Sequence, residues 1–145
     1  MHPDNKKMIT LAGLCKNAFF LRGIEPLLKE NNIRVADVFS NPKEALQRLK
    51  SAGADILLMD GHWRQSGDSG MAILRQLLEK HKNIRVIIVT SFPEDQLMAR
   101  YQDAGASGYF YRTVNNIEQI VACIKVVYED RTLLLPSAQY SQEEA

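Results

Sequence analysis

The sequence has few cysteines, almost no net charge and no long apolar run. Its two cysteines, Cys15 and Cys123, lie far apart and without metal-ligand spacing, which is typical of a protein from a reducing cytoplasm. The formal net charge of +1 provides no basic surface for nucleic acid. Since no apolar run approaches the roughly 20 residues that span a bilayer, no membrane partner is expected.

Apolar periodicity predicts five strands that alternate with five helices. The chain of 145 residues is long enough for one ordinary domain. Short apolar runs predict strands near residues 8–14, 33–40, 56–60, 85–91 and 108–112. Helical spacing follows within residues 17–30, 41–53, 70–82, 93–104 and 114–130. This alternation predicts an α/β fold, a doubly wound parallel sheet with helices on both faces.

The periodic pattern also sets the expected domain boundaries. Residues 8–130 hold all ten elements and are predicted to form the domain. Residues 1–7 read as a polar N-terminal extension. Residues 131–145 lie outside the alternating units and read as a C-terminal tail or the start of a linker.

Polar residues end three of the predicted strands. Asp60 follows a continuous apolar run, Thr90 and Ser91 end the next strand, and Arg112 ends the fifth. In open α/β sheets, ligands and chemistry gather at the carboxyl ends of the strands, so these side chains are expected in one crevice. The alternative for Asp60 is a residue that only caps the loop after its strand.

Three motifs carry a resemblance to a known family. LLMD, IIVTS and AGASGYFYRT stand in the order and spacing of the third, fourth and fifth strands of response regulator receiver domains. The chain resembles these two-component signalling domains over residues 8 to 130, and is most similar to the branch with a C-terminal helix-turn-helix. The resemblance implies a flavodoxin-like sheet with strand order 2-1-3-4-5.

The resemblance also implies roles for individual residues. Asp60 would accept a phosphoryl group from a histidine kinase, and the backbone carbonyl of His62 would help to bind Mg²⁺. Thr90 would hold the phosphoryl oxygens, with Ser91 beside it. Tyr109 would be the aromatic that turns inward as the switch.

The sequence departs from this family pattern where the acidic metal ligands belong. The acidic pair is replaced by Cys15 and Lys16, and residues 8–24 contain no Asp or Glu at all. Mg²⁺ prefers carboxylate oxygens, and a thiol with an ammonium removes ligands and adds repulsion. We therefore expect no resident cofactor, and at most weak Mg²⁺ binding at Asp60 and the His62 carbonyl.

A second departure concerns the charges around Asp60. Arg112 stands where the family has a lysine, and it is bulkier and fork-shaped. Lys16 and Arg112 could converge on Asp60 and depress its pKa, or Lys16 could point into solvent. Cys15 could be a thiol of lowered pKa that senses redox state, or a simple packing residue.

The loop after Asp60, residues 61–69, is longer than the family pattern and carries Trp63, Arg64 and Asp68. An exposed tryptophan would be a plausible anchor for a partner protein. It could equally fold over the crevice as a lid, which we favour.

These features favour an atypical receiver, or pseudo-receiver, which regulates by protein contacts and is not an enzyme. The first alternative is a conventional phosphoacceptor. The remote alternative is a flavodoxin-like enzyme or cofactor binder, but GLCKN after the first strand lacks a glycine-rich phosphate loop.

The expected partners are a histidine kinase or another signalling protein. A second copy of the chain is also possible, bound through the apolar residues Phe19, Phe20 and Tyr128. RTLLLPSA resembles the segment that leads to a helix-turn-helix in transcription regulators. DNA would therefore be bound only through an output domain absent from this chain.

Overall fold

The computed structural model describes residues 8–63, 70–91, 94–129 and 133–134. Within them it contains six strands and five helices. The strands are β1 (Ile9–Leu14), β2 (Ile33–Phe39), β3 (Ile56–Asp60), β4 (Arg85–Thr90), β5 (Gly108–Tyr111) and β6 (Leu133–Leu134). The helices are α1 (Phe19–Glu30), α2 (Pro42–Ala52), α3 (Gly70–Lys80), α4 (Asp95–Ala104) and α5 (Ile117–Tyr128).

The strands form one parallel sheet in the order β2-β1-β3-β4-β5-β6. The predicted order 2-1-3-4-5 is confirmed. The tail that was expected outside the alternating units adds β6 to the edge, where Leu133 lies opposite Gly108 and Leu134 opposite Tyr109. The rest of the predicted tail and the extension at residues 1–7 lie outside the described residues.

β3 is buried on both faces, as its continuous apolar run predicts. Ile56 and Leu58 belong to the core shared with α1 and α5, where Cys123 also packs, fully buried. Leu57 and Met59 belong to the core shared with α2, α3 and α4. Asp60 is therefore carried by a strand that is tightly packed on both sides.

The start of α5 differs from the sequence prediction. The periodicity predicted a helix from Val114, but α5 begins at Ile117. Asn116 and Gln119 form a capping box, in which each side chain accepts the other's backbone N–H, at 3.0 and 2.6 Å. The predicted start of the fourth helix at Pro93 lies outside the described residues. No helix in the described ranges is long and apolar enough to cross a membrane.

Candidate functional site

The carboxylate of Asp60 faces a crevice at the carboxyl ends of β1, β3 and β4. Its Oδ2 accepts a hydrogen bond from the backbone N–H of Lys16, at 3.1 Å. The crevice has a volume of about 220 Å³. The structure thus brings the predicted strand-end residues together, and the lining consists of Lys16, Asp60, Gly61, His62, Val89, Thr90, Ser91 and Arg112.

Burial raises the pKa of Asp60 above the ordinary aspartate range. The Lys16 N–H and the charges of Arg112 and Lys16 act in the opposite direction, but their combined effect is smaller. The prediction that two cations would depress this pKa is therefore wrong. Removal of water from the carboxylate outweighs the attraction of cations that do not pair with it.

The side chains of Lys16 and Arg112 each contact groups other than the Asp60 carboxylate. The Lys16 ammonium lies 5.5 Å from the ring centroid of Trp63. The Arg112 guanidinium lies 5.4 Å from the ring centroid of Phe20 and donates a hydrogen bond to Ser91 Oγ. Among the described residues, neither cation forms an ion pair with Asp60. Lys16 is exposed, but its side chain is held on the indole and does not extend freely into solvent.

The Cys15 thiol has a raised pKa, not a lowered one. It follows β1 directly and is half-buried. Burial and the nearby Asp60 carboxylate raise the pKa of Cys15 to about 11. A thiol with this pKa is protonated at neutral pH, so the alternative of a lowered-pKa redox sensor is wrong.

Trp63 folds back onto the turn after Asp60. Only 8% of it is exposed, and it packs in the core beside α2, α3 and α4. Its indole N–H donates a 2.7 Å hydrogen bond to the backbone carbonyl of Asp60. The exposed partner anchor is therefore wrong. Trp63 is not among the described residues that line the crevice, so a lid over the crevice stays a prediction. Arg64 and Asp68 lie outside the described residues.

Two further residues hold the same turn, and neither was predicted from the sequence. Tyr101, fully buried on α4, donates a 2.7 Å hydrogen bond from its hydroxyl to the Gly61 carbonyl. Glu94 Oε1 lies 2.8 Å from Nε2 of His62, a residue that lines the crevice. The periodicity indicates that Tyr101 faces inward, but a partner 40 residues away leaves no local signal.

The predicted phosphate contact and the predicted switch residue are neighbours inside the protein. Thr90 is 2% exposed and Tyr109 is fully buried, so the aromatic ring already points inward. Burial raises the pKa of Tyr109, and the adjacent Thr90 side chain offsets part of that effect. Within the described residues, the Tyr109 hydroxyl has no partner in regular hydrogen-bond geometry. Its role as a switch stays a prediction.

Asp60→Asn is expected to stabilise the fold at neutral pH and to raise the thermal midpoint by a few degrees. The amide keeps an acceptor for the Lys16 N–H but carries no desolvated charge. Because burial raises the pKa of Asp60, the native state binds its proton more tightly than the unfolded chain. Ionised Asp60 therefore lowers the free energy of unfolding by its full amount at pH values above the raised pKa. This loss of stability disappears as the pH falls to the ordinary aspartate pKa and below. Thermal melts of both proteins should converge at acid pH, and a constant difference would contradict this explanation.

A family model described as "Response regulator receiver domain" matches residues 17–125, three-quarters of the chain. The chain belongs to the receiver domain family. Response regulator GacA of Pseudomonas viridiflava is 28% identical over 115 residues, which are 79% of this chain and 52% of that protein. The DNA-binding transcriptional activator DevR/DosR of Mycobacterium tuberculosis is 30% identical over 114 residues, 78% of this chain and 51% of that protein. This receiver domain therefore spans about half the length of these relatives.

Solved structures agree with this fold. The isolated REC domain of RcsB from Salmonella enterica serovar Typhimurium aligns with a TM-score of 0.79 at 12% identity, covering 91% of this chain and 96% of that one. A LuxR-family response regulator from Aurantimonas aligns with a TM-score of 0.78 at 20% identity, covering 92% and 93%. At these identities the likeness shows the receiver fold alone.

Proposed function

We propose that this receiver domain is atypical and regulates through protein contacts, with little or no Mg²⁺-dependent phosphorylation of Asp60. The observation that carries the proposal is the replacement of the acidic pair. Cys15 and Lys16 adjoin Asp60 at the end of β1, and the Lys16 backbone is hydrogen-bonded to its carboxylate.

The donor groups at this site do not fit Mg²⁺. The ion prefers near-octahedral coordination by oxygen, usually with one or two carboxylates. Asp60 is the single carboxylate among the described residues that line the crevice. Cys15 contributes a neutral thiol and Lys16 a positive charge. In the described part of the chain, no three His, Cys, Asp or Glu side chains are grouped to hold a metal.

Loss of the metal bears directly on phosphorylation. Transfer of a phosphoryl group depends on neutralising the charge of its oxygens and on positioning them. The side chains that could substitute for the metal charge are engaged with aromatic rings, Lys16 with Trp63 and Arg112 with Phe20. Both would have to rearrange before they could stabilise a phosphoryl group on Asp60.

Protein contacts are supported by the surface of α1. Phe19 is 82% exposed at the start of this helix, close to the site. Phe20, by contrast, packs against Phe110 with ring centroids 6.1 Å apart. It therefore offers a partner less exposed apolar surface than the sequence analysis expected. The partner in this proposal is a histidine kinase, another signalling protein or a second copy. Control of transcription would act through a DNA-binding output domain, which agrees with the naming of the DevR/DosR relative as a DNA-binding transcriptional activator.

A conventional phosphoacceptor is the alternative, because Asp60 and Thr90 are retained and the crevice is open. The two functions are separated by intact-mass spectrometry after incubation with acetyl phosphate, with Mg²⁺ or with EDTA. We expect no Mg²⁺-dependent, phosphoryl-sized gain in mass. A gain that is present in the wild type and lost in Asp60→Asn would support the alternative.

A further inference from the structure

A second pocket lies beside Asp60, on the side of α1. It has a volume of about 280 Å³ and opens between the turn after β1, the first turn of α1 and the end of β5. Leu58 and Val89, whose side chains lie on the α1 side of the sheet, line it from the sheet, and Phe20 lines it from α1. This volume is close to the lower limit of about 300 Å³ that is typical of small-molecule sites.

The rim of this pocket presents a positioned guanidinium. Arg112 is held over the Phe20 ring, with its guanidinium carbon 5.4 Å from the ring centroid, and one nitrogen, Nη2, donates to Ser91 Oγ. A guanidinium has five N–H donors in a planar fork, so donors remain for a ligand. This fork matches the two oxygens of a carboxylate.

The charge balance around the pocket favours a single negative charge. Lys16 and Arg112 contribute two positive charges, and Asp60 contributes one negative charge when ionised. Cys15 stays a neutral thiol, because burial raises its pKa to about 11. The apolar floor cannot solvate a highly charged group, so a bulky phosphate dianion fits this pocket poorly.

We propose that this pocket binds a free, small organic monocarboxylate with an aromatic or branched apolar body. Its carboxylate would lie against the remaining donors of Arg112, which keeps its place over Phe20, and its apolar part would pack on Phe20, Leu58 and Val89. This inference goes beyond the proposed function, because binding of a free carboxylate does not require phosphorylation of Asp60. Such a ligand would stabilise the contact between α1 and the end of β5.

Phenylacetate is a suitable probe, followed by chemical shifts of the ¹⁵N-labelled protein. With about ten non-hydrogen atoms, it is expected to bind with a dissociation constant of about 1 mM. The shifts should be confined to residues 15–17, 19–21, 58–60, 89 and 112, which line the pocket. Phenylacetamide, the neutral isostere, is expected to bind at least about tenfold more weakly because it cannot form a charge-assisted pair.

Matched variants locate the carboxylate. Arg112→Gln should weaken phenylacetate binding about tenfold. Arg48→Gln should leave it unchanged, although Arg48 is stacked on Phe39 in the same manner, 5.6 Å from its centroid, on another part of the surface. Asp60→Asn should tighten binding, because the one negative charge at the pocket is removed. Both arginines are exposed, so these variants are expected to fold.

Three results would overturn the ligand site. They are the absence of saturable shifts up to about 20 mM phenylacetate, equal binding of phenylacetamide, and equal effects of Arg112→Gln and Arg48→Gln. None of these results changes the outcome of the acetyl phosphate experiment, so the failure of one proposal is distinguishable from the failure of the other.

Discussion

The double variant Cys15→Asp, Lys16→Asp is expected to bind Mg²⁺ at least about tenfold more tightly than the wild type. Both positions adjoin Asp60, so the substitutions add two carboxylates and remove one ammonium where the ion would lie. Trp63, the single tryptophan of the chain, reports on the site because its indole is bonded to the Asp60 carbonyl. The measurement is a Mg²⁺ titration followed by tryptophan fluorescence.

The same variant should be less stable than the wild type without Mg²⁺, because three carboxylates then repel one another. Saturating Mg²⁺ should restore the thermal midpoint by mass action. Lys50→Asp is the charge control, since Lys50 lies at the opposite end of the sheet, near the start of β3. A folded double variant with no saturable response, or an equal response in Lys50→Asp, would show that the missing acids are not what prevents metal binding.

Gly70→Ala is expected to destabilise the protein by about 2–5 kcal/mol. A Cβ at Gly70 would lie 1.6 Å from the hydroxyl oxygen of Tyr101 and 2.6 Å from its Cζ. Tyr101 is fully buried and its hydroxyl is bonded to the Gly61 carbonyl, so the ring cannot move without breaking that bond. The turn after Asp60 would lose its hydrogen bond to Tyr101 of α4, and the protein would become less stable. Denaturant unfolding measures the loss.

Gly23→Ala is the matched control, because Gly23 is also a helical glycine but a Cβ there would meet nothing within 4 Å. It should stabilise α1 by about 0.5–1 kcal/mol. Adding Tyr101→Phe to Gly70→Ala should recover part of the loss, because the nearest clashing atom is removed. If Gly70→Ala proved as benign as Gly23→Ala, the close packing of Tyr101 on Gly70 would be refuted.

Much of the fold could be predicted because its signals are local. The apolar run before Asp60 predicts a buried central strand, and Asn41 with Pro42 predicts the start of α2, where Asn41 caps the helix as expected. The start of α5 was missed because the apolar stripe extends to Val114, whereas the capping box fixes the helix start at Ile117. β6 was missed because a two-residue strand carries no periodicity.

The sequence predicts which residues form the candidate site, but not the contacts between them. Parallel strands bring their carboxyl ends together, so Asp60, Thr90 and Arg112 were expected to meet. The direction of the Asp60 pKa shift was not predictable, since it depends on how deeply the carboxylate is buried. The contact of Lys16 with Trp63 was also missed, because it depends on the position of the Trp63 ring in the folded protein.

The most direct test of the central claim compares rates of phosphorylation at Asp60. Wild type, Asp60→Asn and the double variant Cys15→Asp, Lys16→Asp are incubated in parallel with acetyl phosphate and Mg²⁺, and intact masses are followed over time. We expect the wild type to remain as unlabelled as Asp60→Asn, while the double variant gains a phosphoryl group. Labelling of the wild type at Asp60, at a rate similar to that of the double variant, would contradict the claim that loss of the acidic pair disables this receiver.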